Sequence, residues 1–278
     1  MIATEKNLEV RGWHKRIITS TLPKKPEISL VFVNYRSAAY LEDALKSLFL
    51  HEKGSFFEVV IVNSDGEESE ALEKLKQLRQ DIVIIESGEN VGFGRAVNVA
   101  VQLAQGEYIG LLNPDTIWTK RQLNEILVEI RKENAIIGLS LLDSVGRRER
   151  YNFGSKVSFW RLLLNHLPKK QDLVHGKRLV DWVSGGALFL SRALFQELGG
   201  FDEKYFLYYE DVDLCERARR RGIQSYVYGD FSLVHYRGKS QESIGKQKAA
   251  YYQSQMYYFQ KMRPVYEQWL LRISRVFL

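Results

Sequence analysis

The stretch Ile28-Ser29-Leu30-Val31-Phe32-Val33-Asn34-Tyr35-Arg36-Ser37 decides how this chain is read. A nearly continuous apolar run ends abruptly in hydrogen-bonding side chains, and Ala38 to Phe49 then carries the spacing of a helix. Such a run points to a strand buried on both faces, as in parallel sheets covered by helices. The unit repeats outward along the chain. Glu58 to Val62 precedes a helical pattern at Ser69 to Arg79, Ile82 to Glu86 precedes Gly94 to Ala104, and Tyr108 to Leu112 precedes Lys120 to Lys132. That alternation predicts βαβ units around a largely parallel sheet flanked by helices.

On either side the pattern weakens. Residues 1–27 show no clear period and end in Pro23, Lys24, Lys25 and Pro26, an arm leading into the domain. In the second half, Ile136 to Leu142, Asp181 to Leu190 and Gln224 to Val227 read as strands, Arg192 to Gly199 and Asp211 to Arg221 as helices. Arg147 to Lys177 is basic and aperiodic, an insertion suited to facing an acceptor. The expected organisation is therefore an arm (1–27), a catalytic domain (28–240) with a nucleotide half near 28–118 and an acceptor half near 119–240, and a helical tail (241–278).

The composition, 45% hydrophobic and 27% charged over 278 residues, is that of a globular chain and excludes disorder as the default. The single Cys215 offers no internal disulfide and no cysteine cluster for a structural zinc, so a reducing cytoplasm is expected. The amino-terminal residues lack the apolar core of a signal peptide, and no apolar run approaches the ~18 residues needed to span a membrane. The net charge of +6 resides in the tail: from Arg237 onward eight basic residues face only Glu242 and Glu267. Together with Tyr251, Tyr252, Trp269, Leu270, Leu271 and Phe277, this suggests an amphipathic helix on a membrane surface. A packing helix or a homodimer contact fits equally, and nucleic acid is not an expected partner.

In open parallel sheets ligands bind beyond the carboxyl ends of the strands. The residues just past these ends are Asn34 and Tyr35, then Asn63, Ser64 and Asp65, then Asn90, then Asn113, Pro114 and Asp115. Each Asn or Asp alone is more often a turn former; together they favour a site. Asp115 follows a strand directly into a turn, and one hard carboxylate there suits Mg2+ or Mn2+ on a diphosphate. A helix N-cap before Thr116 to Arg121 is the equal alternative. Gly88 to Asn98 is glycine-rich between strand and helix, where backbone amides approach phosphate or ribose. Val97 stands where a dinucleotide fingerprint needs a small residue, so that match is weak. Arg95 could pair with an anion, though an exposed arginine is the commoner case, and Asn98 is unusual among apolar helical neighbours.

The densest polar cluster is Tyr208-Tyr209-Glu210-Asp211-Val212-Asp213 with Glu216 and Arg217. Adjacent carboxylates at a helix start can supply a general base: desolvation by Phe206 and Tyr208 would raise a pKa and the helix N-terminus would lower it. Asp213 and Glu216 fit simple helix decoration, with Glu216 near Arg220. Upstream, Trp182-Val183-Ser184-Gly185-Gly186 sets an indole beside small residues, suited to a sugar ring and close backbone approach, or to a packed core. His235 could be a metal ligand or an ordinary satisfied histidine.

Taken in order, Val33-Asn34-Tyr35, Asn90-Val91-Gly92-Phe93 with Asn98, Asn113-Pro114-Asp115, Ser184-Gly185-Gly186, Gly200-Phe201-Asp202-Glu203, Tyr209-Glu210-Asp211-Val212-Asp213-Leu214 and His235 resemble the inverting GT-A-fold glycosyltransferases, in their non-processive rhamnosyl- and galactofuranosyltransferase branch. The likeness covers about residues 28–240. It implies a GT-A fold and transfer of a sugar from a UDP- or dTDP-linked donor to an acceptor hydroxyl with inversion, in cell-surface polysaccharide assembly. By the resemblance, Asp211 matches the catalytic base. Val33, Asn34 and Tyr35 would line the nucleotide pocket, with Asn63, Asp65, Asn90, Gly92, Phe93, Arg95, Asn98 and Asn113 on the donor side. Trp182, Ser184, Gly185 and Glu210 would face the sugar or acceptor. Asp115 and His235 would hold the metal.

Two departures stand out. Asn113 replaces the first acid of the family's metal motif, and Val62-Asn63 replaces its Asp-Asn, with Asp65 displaced. The rival readings are a binding module of the same fold that lost its chemistry and an NAD-dependent oxidoreductase. The latter requires glycines in the first βα turn, where this chain has Asn34-Tyr35-Arg36-Ser37.

Overall fold

The computed structural model describes residues 25–54, 56–64, 67–79, 82–149, 151–164, 174–236 and 245–274 with their side chains, and the backbone alone of 4–6, 17–19 and 244. Within the arm, β1 (Thr4–Lys6) and β2 (Ile17–Thr19) pair as a separate antiparallel ribbon. The regular units follow: β3 (Ile28–Asn34), α1 (Ala38–His51), β4 (Phe57–Asn63), α2 (Ser69–Leu75), β5 (Ile82–Glu86), α3 (Phe93–Leu103) and β6 (Tyr108–Leu112). Then come β7 (Thr116–Ile117), α4 (Leu123–Lys132), β8 (Ile136–Leu142), β9 (Phe153–Gly154), α5 (Phe159–Leu164), β10 (Lys177–Val180), β11 (Trp182–Val183), β12 (Ala187–Ser191) and α6 (Arg192–Glu197). The chain closes with α7 (Glu210–Arg220), β13 (Ser225–His235), α8 (Ile244–Met262) and α9 (Val265–Ser274).

The main sheet runs β10-β13-β8-β12-β6-β3-β4-β5, with β7 added on β13. Its β5-β4-β3-β6 portion is wholly parallel, β12 enters antiparallel between β6 and β8, and β8 and β13 are parallel again. The neighbours of β3 are reached in opposite directions along the sheet, which opens a crevice past the carboxyl ends of β3 and β6.

Alternation along β3 explains the layers. Leu30 and Phe32 point to the face covered by Leu41, Leu45 and Leu48 of α1 and Ile126 and Ile130 of α4. Val31 points to the other face, with Ala96, Val97 and Ala100 of α3 and Leu214, Cys215 and Ala218 of α7. All these side chains are essentially excluded from water, and each large one contributes about 1.5–3 kcal/mol of transfer free energy. Burial pushes the Cys215 thiol up to about 12, which leaves it an unreactive packing group.

Three expectations shift. Asp181 to Leu190 is not one strand, because Ser184 to Gly186 turn between β11 and β12. The last strand reaches from Ser225 to His235, through a register shift between Tyr228 and Ser232. Gly229 sits in that irregularity because a Cβ there would lie 1.8 Å from the Val174 carbonyl oxygen. Finally, Thr116 and Ile117 form β7, and helix α4 starts only at Leu123, so the N-cap alternative for Asp115 does not apply.

Candidate active site

Sheet register assembles the first centre. Thr116 pairs with His235 and Ile117 with Val234, while the Tyr236 N–H donates to the Asp115 carbonyl at 3.0 Å. The imidazole is thereby delivered to the carboxylate, His235 Nε2 lying 3.0 Å from Asp115 Oδ1. The Asn113 amide lies 3.1 Å from the same nitrogen, and Glu149 Oε1 lies 2.9 Å from Nδ1 on the far side. Burial alone would lower the pKa of His235, but bonding to Asp115 and Glu149 outweighs it and raises the pKa to about 9. Glu149 was not legible in the sequence, where it sits in the basic run Arg147-Arg148-Glu149-Arg150.

A divalent cation suits this donor set. One carboxylate oxygen and one imidazole nitrogen converge in a largely buried corner, and ions such as Mg2+ usually take only one or two protein carboxylates and fill the rest with phosphate oxygens and water. Among the described residues no three His, Cys, Asp or Glu side chains are grouped to hold a metal ion by themselves.

The second centre is the start of α7. Asp211 Oδ2 accepts the Gly185 N–H at 2.9 Å and Oδ1 accepts the Val212 N–H at 2.8 Å. Desolvation nevertheless raises its pKa above the ordinary carboxylate range, the two N–H bonds only partly offsetting it. Glu210 is 4% exposed, and among the described residues its Oε2 has no hydrogen-bond partner. Desolvation and the adjoining Asp211 charge hold its pKa well above the usual value. Phe206 and Tyr208 do not provide that desolvation, since both are exposed. Close packing by α3 does: a Cβ on Gly94 would lie 3.8 Å from the Glu210 Cβ, and one on Gly185 would meet the Phe93 ring at 3.2 Å and the Asp211 Cβ at 3.9 Å.

Ser184 to Gly186 joins the two centres. Gly185 holds Asp211, while the Gly186 carbonyl accepts the Asn113 N–H at 3.1 Å and a Gly186 Cβ would lie 3.0 Å from the Asn113 amide. Asn113, Asp115, His235, Phe93, Ser184, Gly185, Glu210 and Asp211 thus share one region.

The other expected donor-side residues are placed differently. Asn34 and Asn63 are fully buried: the Asn34 amide donates to Asn63 (3.1 Å) and Glu68 (2.9 Å), and Asn63 donates to Glu86 (2.8 Å). This polar ladder locks β3, β4 and β5 at their carboxyl ends. Asn90 accepts from the Gly92 N–H at 3.1 Å in a local turn. Gly92 has φ 81°, and a Cβ there would lie 2.4 Å from the Phe206 carbonyl oxygen, so its smallness serves a backbone contact that the Phe93 N–H seals at 2.9 Å. Asn98 clamps Phe201 through two 2.9 Å bonds to its backbone, and Arg95 faces Glu203. The Trp182 indole donates to the Ser155 carbonyl at 3.1 Å and packs on Gly154. Val33 and Tyr35 are partly accessible at the mouth of the sheet, and Asp65 lies outside the described residues.

The tail completes α7. Tyr208 and Tyr209 both adopt left-handed backbone (φ 69° and 72°), a costly conformation for aromatic residues. Helix α8 holds them: Gln255 donates to the Tyr209 hydroxyl at 2.9 Å, the Tyr258 ring packs 5.4 Å from that of Tyr209, and the Ser254 hydroxyl donates to the Leu207 carbonyl at 2.8 Å. Lys261 bridges Asp202 and Asp213, each at 2.7 Å. A cavity of about 290 Å3 lined by Phe153, Arg178, Asp181 and Arg219 lies at the opposite end of α7 from these carboxylates.

A nucleotide-binding type of parallel sheet, extended by a mixed half that sets a desolvated carboxylate beside an open acid–imidazole corner, is the plan of the GT-A glycosyltransferases. The mannosyltransferase PcManGT of Pyrobaculum calidifontis, solved with GDP-Man and Mn2+, shares the fold at a TM-score of 0.58 and 19% identity, over 86% of this chain and 64% of that one. The profile of glycosyl transferase family 2 matches residues 29–199, and the chain belongs to that family. It is a glycosyltransferase, and the oxidoreductase alternative is removed. The low-salt glycan biosynthesis hexosyltransferase Agl10 of Haloferax volcanii is 29% identical over 71% of this chain, which spans 63% of that relative's length. The N-acetylglucosaminyl-diphospho-decaprenol L-rhamnosyltransferase of Mycobacterium tuberculosis is 26% identical over 77% of each chain.

Proposed function

We propose that this enzyme transfers a sugar from a UDP- or dTDP-linked donor to a hydroxyl of a lipid-linked glycan acceptor, with inversion, in the assembly of a cell-surface polysaccharide. One observation carries the reading: Asp211, desolvated yet aimed by the Gly185 and Val212 N–H groups, is held by the same Ser184 to Gly186 turn that contacts Asn113 at the donor side. A raised pKa makes a carboxylate a better proton acceptor near neutral pH. Asp211 removes the acceptor proton as the oxygen attacks the anomeric carbon, and no covalent enzyme intermediate is needed. Asp115 and His235 would hold a divalent cation, which would stabilise the departing diphosphate. Glu210, protonated, is suited to donate to a sugar hydroxyl, and Phe93 and Ser184 line the path between the centres. Val33 and Tyr35 are accessible for the base, whereas Asn34 and Asn63 act through the ladder beneath them. The lipid-linked acceptor is supported by the name of the mycobacterial relative.

Screening UDP- and dTDP-sugars for hydrolysis and transfer with and without Mn2+, beside Asp211→Asn, tests the proposal. Metal-stimulated turnover of one donor, with transfer abolished in the variant, is expected. Full transfer by Asp211→Asn removes the base assignment, and a chain inert toward every donor favours the binding-module reading.

Contact with a lipid surface belongs to the same proposal. Among the described residues no helix is long and apolar enough to cross a membrane. On α9, Glu267 and Leu271 face the protein, while Val265, Tyr266, Trp269 and Ile273 are exposed with Arg272 beside them. Helix α5, tied to α9 by the Phe159 N–H on Glu267 (2.8 Å), adds exposed Trp160, Leu163 and Leu164. Aromatic and aliphatic side chains among cations suit an anionic bilayer interface. Flotation with vesicles containing phosphatidylglycerol should be lost in a Trp269→Glu, Ile273→Glu variant. Unchanged flotation sinks the lipid assignment, and a concentration-dependent dimer lost in the same variant points to a second copy instead.

A further inference from the structure

We infer that Glu149 is a positioning residue that sets His235 as a cation ligand and supplies the negative charge that Asn113 lacks. This rests on the metal-assisted reading above. The geometry is two-sided: Nδ1 of His235 meets Glu149 Oε1 at 2.9 Å, while Nε2 points to Asp115 and Asn113 at 3.0 and 3.1 Å. A neutral imidazole carries one N–H and one lone pair, and the bond made by one nitrogen decides which it is. With Nδ1–H donated to Glu149, the lone pair falls on Nε2, on the side shared with Asp115. A carboxylate behind the ring also makes that nitrogen a stronger donor to a metal.

The fold commits several bonds to placing this carboxylate. After β8 the chain reverses at once: Asp143 Oδ1 accepts the Val145 and Arg147 N–H groups at 3.0 and 2.8 Å, and Gly146 takes φ 78°. The Glu149 N–H then returns to the Leu141 carbonyl at 2.9 Å. Leu141 and Leu142 pair with Leu233 and Val234 of β13, so the hairpin lands beside the next residue, His235. The Glu149 side chain is only 8% exposed and faces the ring. Its charge balances that corner differently from the two-acid pattern: Asn113 beside Asp115 removes one negative charge, and Glu149 restores one from behind the histidine.

Mn2+ uptake by the full chain with UDP, read from the free-ion paramagnetic resonance signal, tests this independently of turnover. Glu149→Ala should weaken Mn2+ about 10- to 100-fold. It should also lose the modulation from a directly bound nitrogen, with metal-free UDP binding and the far-UV circular dichroism spectrum retained. Glu149→Gln, whose carbonyl oxygen can still accept the Nδ1–H, should keep the nitrogen signal and lose less affinity. Wild-type affinity and an intact nitrogen signal in Glu149→Ala overturn the inference. A wild type that turns over donor without taking up Mn2+ instead overturns the metal reading, so the two failures are separable.

Discussion

The two acidic centres of this enzyme differ in how their charge is met. At the mouth of β6, Asp115 and Glu149 flank one imidazole, so each carboxylate has a hydrogen-bonded counter-group. At the start of α7, Glu210 and Asp211 adjoin one another with backbone N–H groups on Asp211 and, among the described residues, no cation paired with either. In the proposed reaction the first centre exchanges its shared proton for a metal, and the second accepts a proton from a substrate. All three pKa values are raised, from opposite causes: Asp115 and Glu149 raise that of the imidazole against the effect of burial, whereas burial itself raises those of Glu210 and Asp211.

The contrast can be broken at four points. The largest effect should come from Asp211→Asn, which removes the proton acceptor while keeping its shape: kcat should fall by about 10^2–10^4, with UDP affinity unchanged in calorimetry. A loss below tenfold would place the base elsewhere. Next, His235→Ala leaves two buried carboxylates facing a void, and metal-free unfolding in urea should show about 2–4 kcal/mol of destabilisation. A neutral effect would mean that water already screens that corner.

Lys261→Met removes the cation shared by Asp202 and Asp213. Because Asp213 is fully buried and the lysine 28% exposed, a loss of about 1–2 kcal/mol is expected in the same assay. The smallest effect has the opposite sign. Glu210 has a folded pKa above its unfolded one, so its favourable contribution is complete when it is protonated and is lost as pH rises through the folded value. Glu210→Gln should therefore match the wild type in acid and be the more stable of the two near neutral pH, read from urea unfolding at both pH values. A variant less stable than the wild type at neutral pH would show that the ionised form has a partner.

The parallel half was legible because local chemistry determines it. Continuous apolar runs, each followed by a helical stripe, fix β3 through β6, and Ile82 to Glu86 and Tyr108 to Leu112 fall within the bounds read from sequence. The mixed half was not, because long-range pairing defines its strands: the last strand was read only over Gln224 to Val227, yet β13 runs on to His235. The same holds within the site. Asp211 announced itself by its acidic neighbour and helix start, whereas Glu149 is connected to His235 only through the register of β8, β13 and a hairpin. Asn34, Asn63 and Asn98 stood at expected positions, but their amides bond protein atoms rather than open space.

The brace that α8 provides bears on how this family can be recombined. The family profile matches residues 29–199, yet the candidate base stands on α7, and the strained tyrosines before it are held by Tyr251, Ser254, Gln255 and Tyr258. A chimera cut where the sequence pattern changes near 240 would part the helix of the candidate base from its clamp. Exchanging donor preference between relatives should instead graft residues 28–118 and carry everything from β8 to α9 as one inheritable piece.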